Sequence, residues 1–197
     1  MAEALAESGS NAFIISDEIY RDLYYGSERP ASISEFYPRT IVISGLSKSM
    51  SMTGWRLGWI CGDQKVIESA LVLHGYVATC AATISQKAAR AAWTMEAEVA
   101  RADIRRIFRE RRDHLLDLIS RELDLRAVVP DGAFYTMVDV SAHGSSMDVA
   151  ELLLEHGVIT VPGSVFGTEG EGFLRVSFCA DQPKLTEGVA RMKRALR

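Results

Sequence analysis

The sequence lacks the features that mark secreted and membrane proteins. Its 197 residues include three cysteines, an odd and widely spaced set without the pattern of a disulfide framework. Cys61, Cys80 and Cys179 each lie in an apolar or strand-like segment, which predicts buried free thiols in a reducing compartment. No apolar run approaches the roughly 18 residues of a membrane-spanning helix, and the acidic first residues have no basic region typical of a signal peptide. We therefore expect a cytoplasmic protein with neither signal peptide nor membrane anchor.

An excess of positive charge and a metal-ligand pattern are also missing. The chain has 22 lysine and arginine residues against 26 acidic residues, a net charge of −4, which argues against nucleic acid or anionic lipid as a partner. Its four histidines are scattered without ligand spacing, so no metal site is predicted. The run GTEGEG at 167–172 is not a dinucleotide fingerprint, because no strand directly precedes it and no helix follows, and it predicts a loop.

What the sequence does contain is an alternation of short apolar segments and helix-compatible segments, which predicts an α/β fold. Three apolar segments end in polar residues and predict buried strands, namely NAFIISDEIY, RTIVISGLSK and RLGWICG. In open α/β sheets, ligands bind at the carboxyl ends of such strands. The alanine-rich segment that follows, residues 64–93, is compatible with a helix that breaks at Gly75.

A long amphipathic helix is predicted from Met95 to Leu123, where apolar residues recur at helical spacing between charged ones. At about 1.5 Å per residue it would be roughly 40 Å long, so we expect it to connect two parts of the chain. The part that follows contains strand segments, a helix with Ser146 as its N-cap and Gly157 just past its end, and a last helix, which together predict a small α/β domain. The predicted organisation is residues 1–93, a connecting helix at 94–124 and a small domain at 125–197.

The segment SGLSKSMSMTGWRLGW, residues 44–59, places Lys48 after a predicted strand and among small hydroxyl residues. A lysine usually keeps its ammonium group in water, whereas in a desolvated site its amine becomes a nucleophile that can form a Schiff base. Arg56 follows between Gly54 and Gly58, where guanidinium and backbone could approach a phosphate closely. The alternative is a lysine that extends to solvent and an arginine paired with a surface carboxylate.

This segment resembles the lysine-attachment signature of the class I/II pyridoxal-phosphate-dependent aminotransferases, the group with the aspartate aminotransferase fold (fold type I). The matching residues are GLSKSMSMTGWRLG at 45–58. Three further segments resemble parts of the family: SDEIYRDLYYG its aspartate-bearing strand, PDGAFY the turn that opens its C-terminal domain, and FLRVSF the strand with its substrate-binding arginine. The resemblance covers nearly the whole chain. It implies the C-terminal part of the large cofactor-binding domain, with a mostly parallel sheet, and a small C-terminal α/β domain, joined by the long helix.

The resemblance implies a role around the cofactor for each of five residues. Lys48 would form the Schiff base with pyridoxal 5′-phosphate and, once substrate displaces it, carry the proton between the substrate Cα and the cofactor C4′. Asp17 would lie against the pyridine nitrogen and keep it protonated, and Tyr20 would hydrogen-bond the ring's 3′ oxygen. Arg56 and Ser47 would bind the phosphate. Asp17 alone could equally be a turn cap and Tyr20 a packing residue, so the prediction depends on their joint occurrence in family order.

The resemblance also implies a substrate contact and one departure from the family pattern. Arg175 would bind the α-carboxylate of the amino acid, although alone it could be a surface strand residue. Ser44 is a further candidate for the phosphate. The position three before the lysine, a phosphate-binding serine in some relatives, is Gly45 in this sequence.

The family's first half cannot be placed in this sequence. That half supplies a phosphate-binding loop, an aromatic residue stacked on the cofactor ring, an asparagine near the 3′ oxygen and a tyrosine from the partner subunit. The resemblance is therefore to the C-terminal half, which would be a fragment, a chain that works with a separately encoded first half, or a protein that has lost catalysis. Missing strands would leave a sheet edge and an apolar face exposed, so we expect the isolated chain to aggregate or to depend on a partner chain.

The function predicted on this basis is transfer of an amino group between an α-amino acid and a 2-oxo acid, by an enzyme that is a homodimer in its full-length form. A carbon–sulfur β-lyase of the same fold is one alternative, since it uses the same lysine but expels a leaving group. A noncatalytic dimerisation or regulatory fragment is another. The sequence does not identify the substrates, because Arg175 would bind only the carboxylate that all α-amino acids share.

Overall fold

The structure, a computed structural model that describes residues 2–197, divides the chain into two compact units. Unit 1 ends at Ile104, and unit 2 comprises Arg105–Arg197. This division falls inside the predicted connecting helix. The predicted boundaries after residues 93 and 124 stay predictions.

Unit 1 contains three short strands in one sheet, in the order β1–β2–β3. Strand β1 (Ile14–Asp17) runs parallel to β2 (Thr40–Gly45), and β2 runs antiparallel to β3 (Gly58–Cys61). The helices are α1 (Ala2–Glu7), α2 (Gln64–Val77), α3 (Thr83–Ala89) and the first part of α4 (Met95–Leu118). The three predicted strands are confirmed. Within residues 2–197, no helix combines the length and apolar character that crossing a membrane requires.

The predicted helix break at Gly75 is wrong. Helix α2 runs through Gly75 to Val77, and the Ala78 N–H donates to the His74 carbonyl at 2.9 Å. Its start is capped by Asp63, whose carboxylate accepts from the Lys65 N–H at 2.9 Å. An internal glycine costs about 1 kcal/mol relative to alanine, which is too little to stop a capped helix of this length. The chain leaves the helical conformation at Thr79, where φ is 61°.

Unit 1 has an incompletely covered apolar surface, so the prediction of buried strands is wrong for part of the sheet. The strand register places Ile15, Ile43 and Ile60 on one face, and they are 71%, 41% and 40% exposed. Helix α2 lies over part of this face and leaves a cavity of about 440 Å³ lined by Ile43, Ile60 and Leu71, among others. We call this sheet face, together with α2, the open apolar face. It agrees with the exposed apolar surface that the sequence predicts.

The predicted burial of the three cysteines is wrong as well. Cys61, Cys80 and Cys179 are free and exposed. Cys61 is the last residue of the edge strand β3, Cys80 follows α2, and Cys179 follows a strand of unit 2. A strand-like sequence context predicts burial only where a second layer covers the strand, and at these positions no such layer is present within residues 2–197.

Unit 2 is an antiparallel sheet packed against helices. Its strands are β4 (Tyr135–Asp139), β5 (Val161–Pro162) and β6 (Phe173–Ser177), in the order β4–β6–β5, with the remainder of α4, a π-helical turn (Ile119–Leu123), α5 (Ser146–Glu155) and α6 (Gln182–Ala195). Its core contains fully buried residues from the sheet and from all three helices, among them Val138, Leu174, Leu153, Val189 and Leu115. Every element predicted for the small domain is therefore present, and the long helix is confirmed over Met95–Leu123.

The start of α5 differs from the prediction by one residue. Ser145, not Ser146, is the N-cap, and its hydroxyl accepts from the Asp148 N–H at 3.2 Å. Ser146 is fully buried and binds Glu171, whose carboxylate accepts from the Ser146 N–H at 2.8 Å and from the Ser146 hydroxyl at 2.9 Å. These bonds lower the pKa of Glu171, the backbone bond contributing most. The GTEGEG run is a loop, as predicted, and Glu171 ties it to α5.

We expect this link to make unit 2 sensitive to acid. Because the folded-state pKa of Glu171 is depressed, its contribution to stability is complete above the ordinary glutamate pKa of about 4.3 and is lost as the pH falls through the lower folded value. Glu171→Gln should lower the melting temperature at neutral pH. It should also reduce the further decrease in melting temperature that acid causes. Thermal melts across this range test the prediction, with Glu169→Gln in the same loop as the control. An unchanged acid dependence in Glu171→Gln would contradict it.

Candidate functional site

The carboxyl ends of the parallel strands β1 and β2 lie side by side. Asp17, the last residue of β1, is in register with Ile43 of β2, and the Glu18 N–H donates to the Ile43 carbonyl at 2.8 Å. Asp17 is exposed, and its carboxylate accepts from the Ile19 N–H at 3.1 Å. The Ser44 hydroxyl contacts the Glu18 carbonyl at 3.4 Å. Asp17 and Ser44 therefore lie at one edge of the sheet, as their positions after strands predict.

The turn that carries Lys48 begins at this same edge. The Leu46 carbonyl accepts from the Met50 N–H at 3.1 Å, and buried Leu46 packs in a cluster with Ala89 and Ala92. The Lys48 side chain is half-buried, and its Nζ lies 5.6 Å from the centroid of the Tyr20 ring. The structure thus brings together two residues that are 28 positions apart in the sequence. Ser47, which precedes Lys48, is half-buried in the same turn.

Strand β3 brings Arg56 to this edge. Because β3 is antiparallel to β2, its first residue, Gly58, pairs with Gly45, the last residue of β2, and Arg56 lies two residues earlier. Arg56 has left-handed backbone angles (φ 51°, ψ 49°), and its Nη1 donates to the Thr53 carbonyl at 2.9 Å. The guanidinium is otherwise exposed. Asp17, Tyr20, Ser44, Ser47, Lys48 and Arg56 are therefore all near the end of the β1–β2 pair.

Gly58, after Arg56, and Gly45 are required for strand pairing, while the predicted approach of a phosphate to Arg56 stays a prediction. A Cβ on Gly58 would lie 2.9 Å from the Ser44 carbonyl oxygen, and a Cβ on Gly45 would lie 3.0 Å from that of Leu57. Both positions need glycine because the two backbones are close. Close packing of the two backbones thus requires glycine at position 45, where some relatives have a phosphate-binding serine. Gly54 has no atom within 4 Å of a Cβ position.

We expect Gly58→Ala to destabilise unit 1 by about 1–3 kcal/mol, because the added methyl group forces β2 and β3 apart. Gly54→Ala is the control from the same motif and should stay within about 0.5 kcal/mol of the parent. Urea unfolding measures both effects, and titration with pyridoxal phosphate should show weaker binding in Gly58→Ala alone. Equal stability of the two variants would refute the packing role.

Two serines near the site were missed by sequence reasoning. The Ser85 hydroxyl donates to the Trp55 carbonyl at 2.8 Å and so fixes the turn before Arg56. Ser49 is 2% exposed, and its hydroxyl has no hydrogen-bond partner within the described part of the chain. Ser85 lies 30 positions from its partner, so no local pattern indicated it. Ser49 was noted only as one of several hydroxyl residues beside Lys48.

Arg175 belongs to unit 2, whereas the residues described above belong to unit 1. It lies in β6 and is paired with Met137 of β4 and Val161 of β5. Its guanidinium carbon is 4.5 Å from the centroid of the Tyr135 ring and 4.5 Å from that of Phe166. No carboxylate within residues 2–197 pairs with it. Both aromatic neighbours were missed, because only the folded chain brings them to the arginine.

The side chains at the edge of unit 1 have the chemistry needed to bind pyridoxal phosphate. Lys48 has an amine that could react with an aldehyde, Asp17 a carboxylate that could pair with a pyridinium nitrogen, and Arg56 a guanidinium that could bind a phosphate. Within the described residues, neither Asp17 nor Arg56 has an oppositely charged partner, so both charges are available to a ligand. Residues 2–197 contain no cluster of three or more possible metal ligands. Fold and site together define a pyridoxal-phosphate-dependent class of α/β protein.

Comparison with known proteins identifies the family. The chain belongs to the aminotransferases of class I and II, whose family model matches residues 2–192, and this family depends on pyridoxal phosphate. It is 42% identical to a probable N-acetyl-LL-diaminopimelate aminotransferase of Bacillus subtilis over 188 residues, which are 94% of this chain and 47% of that protein. It is 36% identical to aromatic-amino-acid aminotransferase 2 of Thermococcus litoralis, over 93% of this chain and 49% of that protein.

Solved structures agree with this assignment. The aromatic aminotransferase of Pyrococcus horikoshii OT3 matches with a TM-score of 0.91 and 35% identity, over 99% of this chain and 53% of that one. The aspartate aminotransferase of Thermus thermophilus with maleate matches with a TM-score of 0.90 and 33% identity, over 98% and 50%. The resemblance and the fold class predicted from the sequence are confirmed. The chain spans about half the length of the curated relatives it matches.

Proposed function

We propose that the protein containing this chain transfers an amino group between an α-amino acid and a 2-oxo acid. One observation carries the proposal: Lys48 contacts the Tyr20 ring at the sheet edge that also holds Asp17 and Arg56. The relatives named for their substrates act on aspartate, aromatic amino acids or N-acetyl-LL-diaminopimelate, and these are the first amino donors to test. The proposed full-length enzyme is a cytoplasmic homodimer in which this chain is the C-terminal half.

Bound pyridoxal phosphate would supply an aldehyde and an electron-withdrawing ring. The Lys48 amine would hold that aldehyde and, with substrate bound, would accept the proton from the substrate Cα and return it at C4′. The Lys48 side chain is half-buried, and its Nζ lies 5.6 Å from the centroid of the Tyr20 ring, which restricts where the amine can reach.

Each remaining residue binds or orients a specific group. The Asp17 carboxylate would hold the proton on the pyridine nitrogen, and the Tyr20 hydroxyl would donate to the 3′ oxygen. The Arg56 guanidinium and the Ser47 hydroxyl would bind the phosphate, with Ser44 as a further donor. Arg175 would donate from its planar fork to the α-carboxylate of the substrate.

Two measurements test the proposal. Borohydride reduction of the protein with pyridoxal phosphate, followed by peptide mass mapping, should place the adduct on Lys48. Incubation with an amino donor and 2-oxoglutarate should yield glutamate. Pyruvate and ammonia formed without an acceptor would identify a β-lyase instead. Failure to bind pyridoxal phosphate at all would indicate a noncatalytic chain.

A further inference from the structure

The Arg175 guanidinium lies against two aromatic rings on the outer face of the unit 2 sheet, with its carbon 4.5 Å from each ring centroid. Residues paired across antiparallel strands share a face, so Arg175 shares one with its partner Met137 and with Tyr135, two residues before Met137. The other face, with Thr136, packs into the core. Phe166 reaches the guanidinium from the 3₁₀ turn Gly163–Phe166. We call Tyr135 and Phe166, which both contact Arg175, the aromatic clamp.

The loop that carries Phe166 is held closed by its own backbone. Gly163 and Gly170 are so close that a Cβ on either would overlap the carbonyl oxygen of the other. The Gly170 N–H donates to the Gly167 carbonyl at 3.0 Å. The hydroxyls of Ser146 in α5 and Ser164 in the same turn are hydrogen-bonded at 3.0 Å. Phe166 is therefore fixed at its backbone although its side chain is 53% exposed.

A guanidinium forms its hydrogen bonds in its own plane. Contact with aromatic rings leaves the N–H groups around its edge available to an acceptor. A bidentate carboxylate approaches in this plane. Holding the long arginine side chain in place before binding also reduces the conformational entropy that binding removes.

We propose that Tyr135 and Phe166 are positioning residues that hold the Arg175 guanidinium ready for the substrate carboxylate. This inference rests on the proposed function, because it assumes that Arg175 binds that carboxylate. Phe166 is the better residue to test, since its exposed side chain contributes little to the core. Phe166→Leu keeps apolar bulk and removes the ring, whereas Phe166→Tyr keeps the ring.

In the whole protein loaded with pyridoxal phosphate, Phe166→Leu should raise the KM for the amino donor about tenfold and change kcat by less than about twofold. Phe166→Tyr should behave like the parent. An unchanged KM in Phe166→Leu, or a fall in kcat as large as the rise in KM, would overturn the inference.

A parallel variant separates this inference from the function it rests on. Arg175→Lys keeps the charge but removes the planar fork, so its KM should rise at least as much as that of Phe166→Leu. If Arg175→Lys leaves KM unchanged, the proposed role of Arg175 fails. If it raises KM and Phe166→Leu does not, only the clamp fails.

A spectroscopic measurement tests the clamp without any activity. In protein labelled with nitrogen-15 arginine, the Arg175 Nε–H resonance, identified by its loss in Arg175→Lys, should be shifted by the two ring currents. Phe166→Leu should move it toward the position of an unstacked arginine, and Phe166→Tyr should not. An unmoved resonance in Phe166→Leu would show that the ring does not stack on the guanidinium.

Discussion

Replacing Lys48 with alanine in the protein loaded with pyridoxal phosphate is expected to lower kcat/KM for transamination by about 10⁴-fold, the upper end of the range for loss of a general acid–base group. By the proposed mechanism, the variant would lose both the amine that bonds the cofactor and the group that moves the substrate proton. Steady-state kinetics with the best amino donor measure the loss. The borohydride adduct should disappear in the same variant.

Two controls make this result specific to the Lys48 amine. Lys48→Arg keeps a cation near the Tyr20 ring, yet a guanidinium stays protonated and can act neither as nucleophile nor as base, so the loss should be similar. Lys65→Ala removes an exposed lysine of α2 and should leave kinetics unchanged. Activity of Lys48→Ala within tenfold of the parent would show that another group carries the proton.

Expressed separately, residues 105–197 are expected to fold, whereas residues 1–104 should aggregate. Among the described residues, ten of the twelve largest fully buried side chains belong to unit 2, and only Leu23 and Ser49 belong to unit 1. Unit 1 also carries the open apolar face. Unit 2 therefore has a core of its own, while unit 1 has few fully buried side chains and leaves an apolar face exposed.

Urea denaturation of residues 105–197, followed by circular dichroism, should show one cooperative transition. Leu153→Ala should destabilise the fragment by about 2–5 kcal/mol, since Leu153 is fully buried. Leu154→Ala is the matched control on the same helix, because Leu154 is 58% exposed, and its effect should be within about 1 kcal/mol. A non-cooperative transition, or equal effects of the two changes, would mean that unit 2 does not fold alone.

The strands and the grouping of the site were predictable because both depend on local sequence. Short apolar runs that end in polar residues marked β1 and β2, and the carboxyl ends of such strands are where ligands bind in α/β sheets, which placed Asp17 with Ser44 and Lys48. A single glycine inside a helix costs too little free energy to end it, so α2 continues through Gly75, where a break was predicted.

Features that depend on tertiary contacts could not be predicted in this way. Burial of a strand depends on the residues that pack over it. The exposure of Ile15 and of the cysteines therefore could not be predicted from the sequence pattern. The bond from Ser85 to Trp55 and the contact of Phe166 with Arg175 join residues separated by long stretches of chain. Such pairs become visible only when the folded chain brings them together.

The pairing of Gly45 with Gly58 has a consequence for how the site is assembled. It closes a short loop, residues 46–57, which contains both Lys48 and Arg56. The entropy lost on closing a loop rises only with the logarithm of its length, so a loop this short constrains its residues at small cost. The amine and the guanidinium are therefore linked by a local hairpin-like segment, and their separation depends on strand register more than on distant parts of the chain.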